Sequence, residues 1–368
     1  MVAQDCDVLV VGAGIAGASI AAEAAEHGDG RVVVVEAESQ PGYHTTGRSA
    51  AFWEECYGGP EIVPLTMASG KALREGGFLT PRGALYLSRE QDRAEVDAFM
   101  ERFADSGVSI ARIGGEAIRD IVPGIRPEWN LAITQPHCAD IDVAGLHQQF
   151  LARARAGGVE IRTHHRLHRA ERDGGGWLVD LGAAGELRAG VIVNAAGAWA
   201  DEVASACGAR PLGITPLRRT IAQLRCAPAV PPELPVVLDL AGRFYFKPEA
   251  GKLWLSPHDE TPSEPCDAAP EELDVAIAID RFEQVVDWRI EAVEHKWAGL
   301  RSFAPDRAPV YGFDARQEGL FWCAGQGGYG IQTAPAGARL AAQLLLGRAA
   351  DAMTEGIDPA PYGAARFG

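Results

Sequence analysis

The chain has 368 residues, 47% of them hydrophobic and 23% charged, which gives a globular protein enough length for a sizeable core and two domains. A net charge of -16 argues against a nucleic-acid backbone or an anionic membrane as partner, yet leaves room for a small cationic pocket inside an acidic surface. The seven cysteines, Cys6, Cys56, Cys138, Cys207, Cys226, Cys266 and Cys323, stand singly without CxxC spacing, which argues against a disulfide framework or a metal site and predicts buried thiols in a reducing cytoplasm.

The opening segment 7–11 (DVLVV) is a β-rich apolar run of the kind that forms a buried parallel strand. It belongs to a motif and does not read as a signal peptide. No stretch approaches the ~18 apolar residues of a transmembrane helix. The strand leads into Gly12-Ala13-Gly14-Ile15-Ala16-Gly17, then an Ala-rich helix over 18–26, then a second strand over 32–35 that ends in Glu36. Strand, GxGxxG, helix, strand and acid together form the dinucleotide-binding context. Gly12 permits the tight turn and Gly14 lets backbone approach a pyrophosphate. Gly17 allows close helix–strand packing, and Glu36 can accept from a ribose hydroxyl pair.

After Glu36 the chain does not proceed to another helix, as a nicotinamide-binding domain usually does. It runs through Gln40-Pro41-Gly42-Tyr43-His44-Thr45-Thr46-Gly47-Arg48-Ser49-Ala50-Ala51, a small, polar segment able to present hydroxyls and amides to a second part of a ligand, and so favours FAD. An ordinary surface loop is the competing reading.

Further on, 140–157 carries an Asp start, a helical apolar pattern and a Gly-Gly end. Segments 159–163 and 177–181 read as strands, the second entered from a Gly174-Gly175-Gly176 turn. The buried strand 191–193 runs into Asn194-Ala195-Ala196-Gly197-Ala198-Trp199, whose small residues leave space for a ligand at the sheet edge. Strand-like segments follow at 220–224, 243–246 and 252–255, between Pro-rich loops at 227–235 and 261–270, and then a long helix near 271–292. Near the C-terminus, 320–323 reads as a strand. It leads into Gly325-Gln326-Gly327-Gly328-Tyr329-Gly330-Ile331-Gln332-Thr333 and a helix to about Leu346. This second glycine-rich turn points another helix N-terminus at something electron-rich, for which a flavin ring is suited.

The pattern predicts an α/β (α+β) chain. A Rossmann-like FAD-binding domain, 1–50, 141–207 and 304–368, is interleaved with a substrate domain, 51–140 and 208–303, built on a mixed, largely antiparallel β-sheet. The motifs GAGIAGAS, QPGYHTTGRSAA, VNAAGAWAD, WAGLRSFAPD and GGYGIQT resemble, in order and over nearly the whole chain, the D-amino-acid oxidase superfamily, which includes glycine and sarcosine oxidases. Within it the sequence most resembles the bacterial D-arginine dehydrogenases.

The resemblance implies that FAD contacts Gly12, Gly14, Ile15, Ala16, Gly17, Glu36 and Ala37. Thr46, Gly47, Arg48, Ser49, Ala50 and Ala51 would approach its ribityl chain and ring. Arg166 or Leu167 would offer backbone on the adenine side, with Ala196, Gly197 and Trp199 lining it. Gly328, Tyr329, Gly330, Ile331, Gln332 and Thr333 would border the isoalloxazine. Some sarcosine-oxidase-like relatives hold their flavin through a cysteine just before Pro-Asp. Here Gly299-Leu300-Arg301-Ser302-Phe303-Ala304 precedes Pro305-Asp306 and has none, so FAD is expected to be non-covalent.

Oxidising an amino acid moves a hydride from Cα to the flavin. The protein must hold the carboxylate, which a guanidinium with a phenol alongside does best. The resemblance assigns Arg301 and Arg219 to that role, helped by Tyr57 and Tyr245. The Gly328 carbonyl would receive the amine, and Gln332 would lie near the flavin carbonyl edge. Beside these stand plainer readings: Arg219 as a solvated charge next to Arg218, Tyr245 as sheet core between Phe244 and Phe246, and His44 as support for the FAD loop rather than a base.

Two positions depart from the D-arginine enzymes. Ala84 stands where they carry a carboxylate after a Pro-Arg pair, and Phe52 where they carry a histidine. A cationic side chain would then be desolvated without compensation, which predicts a small or apolar D-amino acid substrate unless Glu54 or Glu55 restores a carboxylate. The electron acceptor, oxygen or quinone-like, is not encoded. The alternatives are a glycine- or sarcosine-type oxidase, a flavin-binding module without turnover, and a 2-hydroxy-acid dehydrogenase, which would need a base.

Overall fold

The computed structural model describes residues 5–368. Two sheets dominate. The first runs Arg169–Asp173, Gly176–Asp180, Glu186–Asn194, Cys6–Val11, Val32–Val35 and Glu160–Arg162. Its centre is parallel: Val8 to Val11 lie in register with Val32 to Val35 on one side and with Val191 to Asn194 on the other. Leu320–Ala324 extends the C-terminal part of Glu186–Asn194 in parallel, and Val310–Phe313 adds antiparallel to it.

Alternation explains why these strands read as continuous apolar runs. Val8, Val10, Val32 and Val34 pack in one core with Ile20, Phe150 and Leu340 from the helices Ile15–His27, Val143–Ala156 and Ala334–Leu346. Leu9, Val11, Val33 and Val35 pack in the opposite core with Trp177, Trp322 and Val203. Both faces of the sheet are therefore covered, each buried valine contributing roughly 2 kcal/mol.

The second sheet runs Gln326–Gly327, Arg289–Phe303, Thr215–Ala227, Lys252–Ser256, Tyr245–Glu249, Val236–Asp239, Ala84–Ser88, Leu131–Gln135 and Ala111–Gly114. Its pairings are antiparallel except Val236–Asp239 beside Ala84–Ser88. A small third sheet, Phe52–Trp53, Ala139–Ile141 and Leu79–Pro81, lies apart from these two. Its Asp140 accepts from Arg82 at 2.7 Å and from the buried Lys247 at 2.6 Å, tying it to the second sheet.

Three sequence readings change. The helix expected over 140–157 begins at Val143, where Asp142 caps it by accepting from the Gly145 amide at 2.9 Å. The helix expected over 271–292 ends at Glu283, and Arg289–Phe303 is a 15-residue strand. The exposed half of that strand is mostly charged and fits either period. Long-range pairing with Thr215–Ala227 decides it. Six of the cysteines are buried as expected, but Cys266 is exposed. Among the described residues no helix is long and apolar enough to cross a membrane.

Candidate active site

One cavity of about 1010 Å³ extends from the first glycine turn to the second sheet. That volume is at the upper end of ligand pockets and suits a long cofactor with a small substrate beside it.

At the nucleotide end the cavity is made of backbone. Gly12 has φ +100°, and a Cβ on it would lie 2.6 Å from the Ala195 carbonyl oxygen. A Cβ on Gly17 would lie 1.9 Å from the Gly12 carbonyl oxygen, so the helix can reach the strand only through glycine. The Glu36 carboxylate accepts from the Ala13 amide at 2.8 Å and the Glu38 amide at 3.0 Å, which fixes it at the mouth of the turn. His147, buried, bonds the Ala13 carbonyl through Nε2 at 2.9 Å. Burial lowers its pKa, so the imidazole is neutral and serves as a prop.

The loop after Glu36 bridges the two sheets. Thr46 Oγ1 accepts from the Ile15 amide at 2.9 Å, at the start of the first helix. Thr45 Oγ1 donates to the Leu300 carbonyl at 2.6 Å, and Trp297 Nε1 donates to the Arg48 carbonyl at 2.9 Å. The Arg48 guanidinium donates to the Ala268 carbonyl at 2.9 Å and pairs with Asp267, so it anchors the loop. His44 bonds Glu38 at 2.9 Å and packs on Trp199, which agrees with its reading as loop support.

At the other end the cavity is made of side chains. Arg301 and Arg219 stand on adjacent antiparallel strands, where Arg301 faces Leu217 and Arg219 faces Gly299. That register places the two guanidinium-bearing residues diagonally on one face, and the glycine opposite Arg219 leaves room. Both arginines are 7% exposed. Arg301 donates from Nη1 to the Tyr57 hydroxyl, while its Nε is buried with no partner, an open donor of the kind that marks a ligand site. Arg219 donates to the Asp259 carbonyl at 2.9 Å and lies over the Tyr245 ring, 5.9 Å from its centroid. Burial pushes the Tyr245 phenol up to about 12 and raises Tyr57 likewise, so both remain protonated donors. A Cβ on Gly328 would lie 2.1 Å from the Tyr57 hydroxyl and 2.6 Å from Arg301 Nη1. The second glycine turn therefore touches the clamp directly.

Of the residues singled out in the sequence, the cavity is lined by Gly12, Gly14, Ile15, Ala16, Glu36, Ala37, Thr46, Arg48, Ser49, Ala50, Ala51, Arg166, Leu167, Ala196, Gly197 and Trp199, and by Tyr57, Arg219, Tyr245, Arg301, Gly328, Tyr329, Gly330, Ile331 and Gln332. Gly17, Gly47 and Thr333 stand behind its wall. The Thr333 hydroxyl is used on the Tyr329 carbonyl at 2.8 Å. The Gln332 amide is also committed: Oε1 accepts from the Glu54 amide at 3.1 Å, and Nε2 donates to Thr66 Oγ1 at 2.9 Å.

Neither Glu54 nor Glu55 reaches the cavity. Glu54 is fully buried, accepting from the Tyr86 hydroxyl at 2.7 Å and the Cys56 amide at 3.0 Å, and desolvation raises its carboxyl to about 7. Glu55 accepts from Gln135 at 2.7 Å and the Ser109 amide at 3.1 Å. Ala84 is buried in its strand, and Tyr86 two residues on lines the cavity instead.

Sequence reasoning missed Glu260, Arg307 and His258, which also line the cavity. They lie outside every motif, and their spacing along the chain gives no period to find them by. It also missed the wall of Tyr86, Phe99, Phe103, Ile221 and Leu238.

A glycine turn, an anchored acid and a helix start at one end, and a cationic clamp at the other, define a dinucleotide-dependent oxidoreductase; these residues fit FAD. The chain belongs to the FAD dependent oxidoreductase (DAO) family, whose model matches residues 7–344. It is 30% identical to a glycine oxidase of Pseudomonas aeruginosa over 251 residues, which span 66% of this chain and 64% of that enzyme. It is 24% identical to the hydrogen cyanide synthase subunit HcnC of the same organism, over 98% of this chain and 96% of that one. The fold is shared with the glycine oxidase of Geobacillus kaustophilus, at a TM-score of 0.83 and 22% identity over 98% of both chains. It is shared equally with the L-proline dehydrogenase of P. horikoshii, at 0.85 and 21% over 99% and 98%. These likenesses establish the family and FAD, and not the narrower kinship to D-arginine dehydrogenases.

Proposed function

We propose that this protein oxidises the carbon–nitrogen bond of a small or apolar D-amino acid, using dissociable FAD. The imine released would hydrolyse in water to a 2-oxo acid and ammonia. The observation that carries the reading is the clamp of Arg301, Arg219, Tyr57 and Tyr245, which ends the same cavity that begins at the nucleotide turn. When bound, FAD supplies the two-electron acceptor for the Cα–H bond.

The residues do the rest. Arg301, with an unpartnered Nε, and the protonated Tyr57 hold the carboxylate. Arg219 and Tyr245 close its other side. The absence of a side chain at Gly328 lets the amine and Cα approach the turn. Phe52, Tyr86, Phe99, Phe103, Ile221 and Leu238 give the side chain an apolar wall. Glu54 and Glu55 are tied elsewhere, and Asp239, which also lines the cavity, is paired with Arg243, so a cationic side chain has no free carboxylate beside that wall. Cys56 lines the cavity, but burial holds its thiol far above the ordinary range, which supports non-covalent FAD.

The test is an anaerobic screen of D- and L-amino acids, sarcosine and glycine, scored by loss of visible flavin absorbance, with air admitted afterwards. Bleaching by D-alanine, D-methionine or D-phenylalanine and not by their L forms is expected. Bleaching by D-arginine well above these would overturn the side-chain assignment. The likeness to a glycine oxidase favours a second reading, a glycine- or sarcosine-type oxidase, and turnover of sarcosine but not D-alanine would select it. Rapid reoxidation in air marks an oxidase; slow reoxidation marks a dehydrogenase with a quinone-like acceptor. Flavin that stays on the polypeptide after acid precipitation would contradict dissociable FAD.

A further inference from the structure

At the rim of the clamp one carboxylate serves three guanidinium groups. Glu260 Oε1 lies 2.8 Å from Arg301 Nη2, 2.9 Å from Arg307 Nη2 and 3.6 Å from Arg219 Nη2. The charges around it can be assigned. Arg219 also faces Asp259 at 3.8 Å. Arg218 is taken by Asp274 and Glu271, and Asp306 by Arg366. Glu260 is thus the carboxylate that Arg301 and Arg307 share.

Arg307, though half exposed, is anchored at its backbone and its guanidinium. Its backbone is in the left-handed region at φ +65°, unusual for a side chain of this size. Its carbonyl accepts from the Tyr329 hydroxyl, and its guanidinium lies over the Phe303 ring, 3.9 Å from the centroid. Glu260 is held as firmly from the other side, because the next two residues pair with Leu217 and Arg218.

Resting on the reading of the clamp as a carboxylate site, we propose that Arg307 is a latent second carboxylate subsite, and that Glu260 occupies it and so confines the enzyme to monocarboxylic substrates. Without Glu260 the same cavity would take a dicarboxylic amino acid, its second acid group on Arg307 where Glu260 now lies. A second negative charge brought beside Glu260 is repelled, and this is selection by an unfavourable contact.

The measurement is calorimetric titration of FAD-loaded protein with butyrate and succinate, near-isosteres that differ by one charge. Glu260 is 36% exposed, so Glu260→Gln is expected to fold. In the parent protein butyrate binds and succinate binds more weakly. In Glu260→Gln the succinate-to-butyrate affinity ratio rises by roughly five- to twentyfold, the scale of one partly exposed charge pair. In Glu260→Gln with Arg307→Gln that rise disappears. The corresponding kcat/KM ratio for D-glutamate over D-norvaline moves the same way. Butyrate binding with an unmoved ratio in Glu260→Gln, or a rise that survives the second substitution, overturns the inference alone. Binding of neither acid to any variant overturns the carboxylate site itself.

Discussion

The two ends of the cavity are built on different principles. At the nucleotide end the contacts are backbone, the tolerances are steric, and the residues lie close along the chain. Gly12, Gly17 and Glu36 belong to one strand–turn–helix–strand unit, and a methyl group is enough to close it. At the clamp end the contacts are side chains: strand register brings Arg219, Tyr245 and Arg301 together, and Tyr57 reaches Arg301 from the turn after Phe52–Trp53. The first end specifies a cofactor common to a family. The second is free to vary, because each side chain can change without moving the strand beneath it. Gly328 belongs to both, a backbone turn pressed against the clamp.

Breaking the first end should have the largest effect. In Gly17→Val the new Cβ would overlap the Gly12 carbonyl, and packed helix and strand cannot yield that far. The expected outcome is protein without FAD, largely insoluble, checked by flavin content per chain. Breaking the second end should spare the cofactor. Arg301→Ala leaves Tyr57 without its partner and the carboxylate without a guanidinium. It should lower kcat/KM by about 3 kcal/mol or more, with flavin content unchanged.

That asymmetry also sets what could be read from sequence. The glycine turns and the acid after the second strand are local patterns with a physical reason at each position, so the cofactor end was legible almost residue by residue. The clamp was legible only through likeness to a family, since nothing in the spacing of Tyr57, Arg219, Tyr245 and Arg301 makes them neighbours. Glu260 and Arg307 escaped both routes. They meet because the segment after Asp259 folds back onto Leu217 and Arg218, a pairing no local pattern encodes. The strand Arg289–Phe303, read partly as helix, failed for the same reason.

Two smaller effects sharpen the contrast. Glu54 is buried behind the clamp end without a cationic partner, and burial pushes its carboxyl up to about 7. A carboxyl raised on folding stabilises the protein fully below its unfolded pKa, and that contribution is lost as pH rises through the folded one. Stability should therefore fall from about pH 4.5 to 7, by about 3 kcal/mol for this group, and Glu54→Gln should flatten that limb of a Tm-against-pH profile. A wild-type profile equally flat would remove Glu54 as the cause. Smallest is Tyr57→Phe, which removes one hydroxyl from Arg301 and should raise KM roughly tenfold with little change in FAD content.

The most direct measurement of the central claim is a titration of benzoate, a non-reacting carboxylate, into wild-type and Arg301→Ala holoenzyme, followed by the flavin absorbance spectrum. A single cavity joining cofactor and clamp predicts a saturable perturbation in the wild type, abolished in the variant at equal flavin content. An undiminished perturbation in the variant, or none in either protein, would contradict it.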